Sequence, residues 1–220
     1  MKTFEIHIKI DATTILKANL SIPDAPQALV IFAHGSGSSR LSIRNRHVAE
    51  FFNTAHIATL LTDLLTDEED QRFETRFNIP MLTSRLVKVT NYIIQFNEFR
   101  DLSVGYFGAS TGAASALQAA SELDGLISAV VSRGGRPDLV VECLSKVEAP
   151  TLFIVGSLDP EIVDMNQMAF QELTCDKELK IMEGAGHLFE ENGCMDQLAR
   201  WALDWFTKHL ILNYKPSLIL

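Results

Sequence analysis

Residues 102–120 read LSVGYFGASTGAASALQAA. The first half is apolar and β-forming, and residues 103–107 predict a short buried strand. The second half is Ala-rich and predicts a helix over 111–120. Between them stands Gly108-Ala109-Ser110-Thr111-Gly112, a G-x-S-x-G match. A strand that turns sharply into a helix leaves one serine oxygen exposed at the sheet edge, as in a nucleophile elbow. Such a turn forces the serine into a backbone region that non-glycine residues rarely occupy. Its neighbours two residues either side must be small, and Gly108 and Gly112 are. An ordinary glycine-bounded turn is the alternative, so the rest of the chain must supply a base, an acid and an oxyanion site.

The same alternation of strand and helix extends outward in both directions. Residues 28–33 (ALVIFA), 58–65 (ATLLTDLL), 127–132 (ISAVVS) and 151–155 (TLFIV) are continuous apolar runs, as expected of strands covered on both faces. Residues 178–182 (ELKIM) predict the last strand. Residues 4–10 and 14–22 alternate at period two and predict an antiparallel pair at the sheet margin. Helices are predicted over 44–54, 80–96, 138–146, 161–173 and 195–210. The run Asp67-Glu68-Glu69-Asp70 reads as a solvated loop. The class is α/β with a mainly parallel sheet and helices on both faces. With no repeat or linker, residues 1–220 are expected to form one domain.

Composition narrows the function. The net charge is −9 and hydrophobic residues make up 47% of 220. An acidic chain gains nothing from a phosphate backbone, so nucleic acid is not an expected partner. No apolar run reaches the ~20 residues of a membrane helix, and the start, MKTFEIHIKI, lacks the form of a secretory signal. Three cysteines without C-x-x-C spacing read as reduced thiols of a cytoplasmic protein. The six histidines show no metal-ligand spacing, and there is no phosphate-binding or dinucleotide fingerprint, so no metal or cofactor is expected.

In an open parallel sheet, ligands bind at the carboxyl ends of the strands. Five strands end in His34-Gly35-Ser36, Ser110, Arg133, Asp159 and His187. A serine hydroxyl is a poor nucleophile at neutral pH. His187 is placed to take its proton, and Asp159 to orient and stabilise the imidazole. Asp159 could instead cap the helix after it, and Asp138 is a second candidate acid. His34 reads as a structural histidine. The oxyanion needs two preorganised donors, here the backbone N–H groups of Ser36 and Thr111.

These pieces (HGSGSS at 34–39, GASTG at 108–112, GSLDP at 156–160, GAGH at 184–187) resemble the α/β-hydrolase superfamily, more narrowly its dienelactone-hydrolase-like group. The resemblance spans residues 28–210. Dienelactone hydrolases proper carry cysteine as nucleophile, where this chain has Ser110. The stretch HGSGSSRLSIRNR is also similar to hydrolases fused to a phosphoribosyltransferase, a second domain not expected within these residues. The resemblance implies hydrolysis of a small carboxylic ester or thioester through an acyl-enzyme. The competing reading is a non-catalytic ligand-binding protein on the same fold.

Many relatives insert a helical cap after the strand ending near Ser132. Only residues 133–150 are available here, so an open site without a cap domain is expected. Arg133 and Arg136 flank that site; they either bind an anionic group of the substrate or form ion pairs with loop carboxylates. Arg40, Arg44 and Arg46 either bind anions or anchor the loop after residue 33. The apolar end, residues 211–220, packs on its own domain or on a second subunit of a homodimer.

Overall fold

The computed structural model describes residues 1–212; residues 213–220, most of the apolar end considered above, lie outside the described residues. Eight strands form one sheet. They are β1 (Lys2–Lys9), β2 (Ile15–Ile22), β3 (Ala28–Ala33), β4 (Ile57–Thr62), β5 (Ser103–Ala109), β6 (Ile127–Arg133), β7 (Thr151–Gly156) and β8 (Lys177–Met182). Their spatial order is β1-β2-β4-β3-β5-β6-β7-β8. The β1–β2 and β2–β4 pairings are antiparallel and the others parallel. The period-two hairpin therefore stands at one margin, and the continuous apolar runs occupy the middle. That follows from coverage: β3, β4, β5 and β7 are buried at every residue, whereas β1 is exposed along most of its length.

The helices are α1 (Ile43–Thr54), α2 (Phe73–Arg76), α3 (Ile79–Ile93), α4 (Thr111–Glu122), α5 (Val141–Leu144), α6 (Pro160–Glu172) and α7 (Cys194–Phe206). Strand alternation divides the core between two faces. On one face, Val48 and Phe52 of α1 and Leu198, Ala202 and Phe206 of α7 pack on Phe32, Phe107, Ala129 and Val131. Ring centroids there lie 4.9 Å apart for Phe32–Phe107 and 5.5 Å for Phe52–Phe206. On the other, Leu82, Leu86 and Val89 of α3 and the alanines of α4 pack on Ile31, Tyr106 and Val130. Gly105 lets α7 approach the sheet: a Cβ there would lie 2.8 Å from the Phe206 ring.

Five elements differ from the sequence expectation, the first two because a polar contact overrides local pattern. β4 stops at Thr62, three residues early, because Asp63 turns to accept the Arg40 N–H (2.7 Å) and the Leu64 N–H turns to His34 (3.0 Å). The acidic run is not a solvated loop. It holds a 3₁₀ turn (Glu69–Gln71) followed by α2, and Glu69 makes paired bonds of 2.6 and 2.7 Å to the buried Arg85. The Arg85 guanidinium holds the Glu69 carboxyl down to about 2. Helix α3, opened by Pro80 and capped by the Asn78 side chain, ends at Ile93, leaving Phe96 exposed. The predicted helix over 138–146 is a 3₁₀ turn (Pro137–Val140) and the single turn α5. At the chain's end, α7 stops at Phe206 and Thr207–Leu212 widens into a π-helical turn.

Candidate active site

The parallel register brings the ends of β3, β5, β6, β7 and β8 to one rim, and every sequence-predicted site residue lies there. Ser110 joins β5 to α4 with φ 51° and ψ −122°. For a residue with a Cβ this costs of order 1–3 kcal/mol, so the surroundings must enforce it. Glycines do so by close approach. A Cβ on Gly108 would run into the backbone of Ala113, and one on Gly112 into the carbonyl oxygens of Ala33 and His34. One on Gly35 would lie 3.0 Å from both the Ser110 Cβ and the Ala109 carbonyl oxygen. The loop after β3 therefore presses on the elbow through a glycine.

His34 fixes that loop. Its Nε2 accepts from the Leu64 N–H (3.0 Å), so Nδ1 carries the proton and donates to the Gly35 carbonyl (3.0 Å). Both ring nitrogens are committed, and burial pushes its pKa down, so the imidazole is neutral and structural, as read from sequence. Arg40 anchors the same loop: its guanidinium bonds Glu5 at 2.8 Å and stands 3.6 Å from Asp63. Gly35 and Ser38 close a turn through Ser38 N–H (3.2 Å), which leaves Ser36 exposed at its tip. Among the described residues the N–H groups of Ser36 and Thr111 donate to no protein acceptor. Thr111 opens α4, where the first N–H groups are free and the helix dipole favours negative charge.

Across the rim, β7 and β8 run side by side with Gly156 opposite Met182. The loops that follow are stitched together: Ser157 N–H to Met182 O (2.9 Å), Leu158 N–H to Ala185 O (2.9 Å) and Gly184 N–H to Ser157 Oγ (2.9 Å). Glu191 accepts the Gly186 N–H at 3.0 Å. This lattice delivers Asp159 Oδ2 to His187 Nδ1 at 2.6 Å. Asp159 makes no side-chain cap on α6, so the competing capping role falls away. The imidazole is 38% exposed, so the site is open to small molecules from solvent.

Residues 133–136 join the two halves. The Arg133 carbonyl accepts the Ser110 N–H (3.1 Å), and the Arg136 N–H donates to the Ser110 carbonyl (3.2 Å). Between them, a Cβ on Gly134 would lie 3.4 Å from Nδ1 and Cε1 of His187. Serine and imidazole thus border the same four-residue segment. Ser110 Oγ makes no hydrogen bond within the described protein. Asp138 and Arg136 form a two-bond pair at 2.8 Å each, which removes Asp138 as an alternative acid and leaves Arg136 the ion-pair role. Arg133 has no such partner.

Three contributors were missed in the sequence. Asn166 of α6, fully buried, holds the 133–136 segment by donating to the Gly135 carbonyl (2.9 Å). A polar residue on an otherwise apolar helix face was its one signal. Glu191 and the Arg44–Glu190 pair (2.6 Å), which ties α1 to the histidine loop, carry no local signal at all.

The sheet, the elbow and the rim define an α/β-hydrolase fold with no cap domain: only Gly134–Pro150 separates β6 from β7. The sequence profile of the dienelactone hydrolase family matches residues 17–205, and the chain belongs to that family. A dienelactone hydrolase of Anabaena variabilis superposes with a TM-score of 0.91 at 46% identity, over 95% of this chain and 98% of that one. The Est1E protein of Butyrivibrio proteoclasticus shares the fold (TM-score 0.80, 14% identity, 93% and 98% covered). Among curated proteins, a Mycobacterium tuberculosis protein named "Putative phosphoribosyl transferase" is 50% identical over 192 residues. That match takes in 87% of this chain but 43% of the relative, so the chain spans less than half the relative's length. Among the described residues no helix is long and apolar enough to cross a membrane.

Proposed function

We propose that the protein is a serine hydrolase of small carboxylic esters or thioesters, with Ser110 as nucleophile, His187 as base and Asp159 as its orienting acid. The carrying observation is the 2.6 Å Asp159–His187 bond beside an elbow serine held at φ 51°. Asp159 fixes the proton on Nδ1, leaving Nε2 to take the Ser110 proton as Oγ attacks the ester carbonyl. The tetrahedral oxyanion meets the free N–H groups of Ser36 and Thr111. His187 then protonates the leaving alcohol or thiol, and water repeats the cycle on the acyl-enzyme. A nucleophile–base hydrogen bond of this kind commonly forms or tightens only when substrate binds.

The hydrolase assignment concerns this segment. The transferase named in the mycobacterial relative describes a longer protein, and no step here is drawn from it. A fluorophosphonate probe tests the proposal. Stoichiometric labelling at Ser110, abolished in His187→Ala, together with turnover of p-nitrophenyl acyl esters, is the expected result. No labelling and no turnover across a graded acyl series would overturn it and favour a ligand-binding role.

A further inference from the structure

Arg133 is the last residue of β6 and is 93% buried, with 7% relative exposure. Strand alternation turns its side chain to the face of Ala129 and Val131, against α1 and α7, while Ser132 faces α4. Its Nε and Nη1 are enclosed and have no hydrogen-bond partner among the described residues. The 7% that remains exposed is the side chain's opening to solvent. The charge that bears on it is another cation, Arg44 of α1, whose own Nε is enclosed and unpartnered among the described residues. Burial and that repulsion lower the guanidinium to about 10, so it remains charged at neutral pH. Glu190 offsets Arg44 at 2.6 Å, and no carboxylate offsets Arg133.

Other arginines of the chain have found acids: Arg40 takes Glu5 and Asp63, Arg85 takes Glu69, and Arg136 takes Asp138. A buried guanidinium without counter-charge is strongly unfavourable. From this juxtaposition we infer that Arg133 and Arg44 form a seat for a small oxyanion, a carboxylate or phosphate group, beside the histidine loop. The guanidinium fork suits either group. Arg44 also lines a cavity of about 450 Å³ with His47, Phe189 and Glu190, which leaves room at its side of the seat. The seat adjoins the proposed reacting groups through the backbone, since Gly134 follows Arg133 and a Cβ on it would lie 3.4 Å from the His187 ring. The oxyanion belongs either to the ester substrate, a version that rests on the proposed hydrolase activity, or to a free ion, a version that does not.

The test uses the full chain. Thermal unfolding is followed against inorganic phosphate and, separately, succinate, at fixed ionic strength balanced with chloride. A ligand that binds only the folded state raises Tm with the logarithm of its concentration once that exceeds Kd. The wild type is expected to rise by several degrees, and Arg133→Met to show no rise while its Tm without oxyanion equals or exceeds that of the wild type. The second arm compares kcat/KM for mono-p-nitrophenyl succinate with that for p-nitrophenyl butyrate. A fall in that ratio of tenfold or more in Arg133→Met assigns the seat to the substrate's anion. An unchanged ratio beside the lost thermal response assigns it to a free ion. Should Arg133→Met not fold, Arg133→Lys keeps the charge without the fork and should halve the thermal response or more. No oxyanion-dependent rise in the wild type, or the same rise in both variants, overturns the seat. If neither ester is turned over while the thermal response holds, the seat stands and the ester-hydrolase proposal falls.

Discussion

The two halves of the rim are rigid for different reasons. Around Ser110, side chains are missing where backbones must touch: Gly35, Gly108 and Gly112 let β3, β5 and α4 converge closer than any Cβ would permit. Around Asp159 and His187, loops after two neighbouring strands are laced by backbone and side-chain hydrogen bonds near 2.9 Å. On the proposed mechanism the nucleophile must be held in a strained conformation, and repulsion on every side does that well. The imidazole would have to stay placed while its proton comes and goes, and a lattice of directed bonds does that without filling the space above it.

If the halves act as one catalytic unit, the largest effect comes from the reacting atoms. Ser110→Ala and His187→Ala should each lower kcat on a p-nitrophenyl ester by roughly 10⁴-fold or more, and the double variant should lose little beyond either alone. Multiplicative losses in steady-state kinetics would break the halves into independent sites. Next comes the sterically held half. Gly112→Ala places a methyl group against the carbonyl oxygens of Ala33 and His34 at the end of β3, neither of which can move alone. It should destabilise by about 3 kcal/mol, read by urea unfolding.

A flanking contact sharpens the comparison, because here charge does the holding. Glu69→Gln should destabilise by about 1–2 kcal/mol at neutral pH, discounted because the carboxylate is partly exposed. Glu69 ordinarily titrates near 4.5 and in the fold near 2. The folded state therefore binds fewer protons over that interval, and the stabilisation is complete above about 4.5 and lost as pH falls through about 2. The gap between wild type and variant should close across that window. The smallest effect is expected in the hydrogen-bonded half. Ser157→Ala removes one bond among several and should cost about 1 kcal/mol and only a few-fold in kcat. An unfolding cost as large as that of Gly112→Ala would erase the distinction between the halves.

The legible part of this protein was what repeats along the chain or recurs at a strand end. Continuous apolar runs gave β3, β5, β6 and β7 nearly to the residue, because strands covered on both faces need nothing else. Ser110, Asp159 and His187 were singled out because each lies within five residues of the end of a predicted strand, and strand ends share one edge whatever the loop lengths. The limits appeared where a contact spans the chain. The 3₁₀ turn and α2 within the acidic run exist because Arg85, sixteen residues on from Glu69, is buried opposite it. Nothing between residues 66 and 76 announces that.

From its own order of residues the chain determined the α/β class, the elbow and the three side chains proposed to react, since period and punctuation are local properties. The tertiary structure alone decided which cations found partners. Arg133 and Arg136 stand three residues apart with the same chemistry, yet Arg136 is clasped by Asp138 and Arg133 lies buried without a carboxylate among the described residues. Charge pairing is settled by distance in space, and sequence separation does not carry that information.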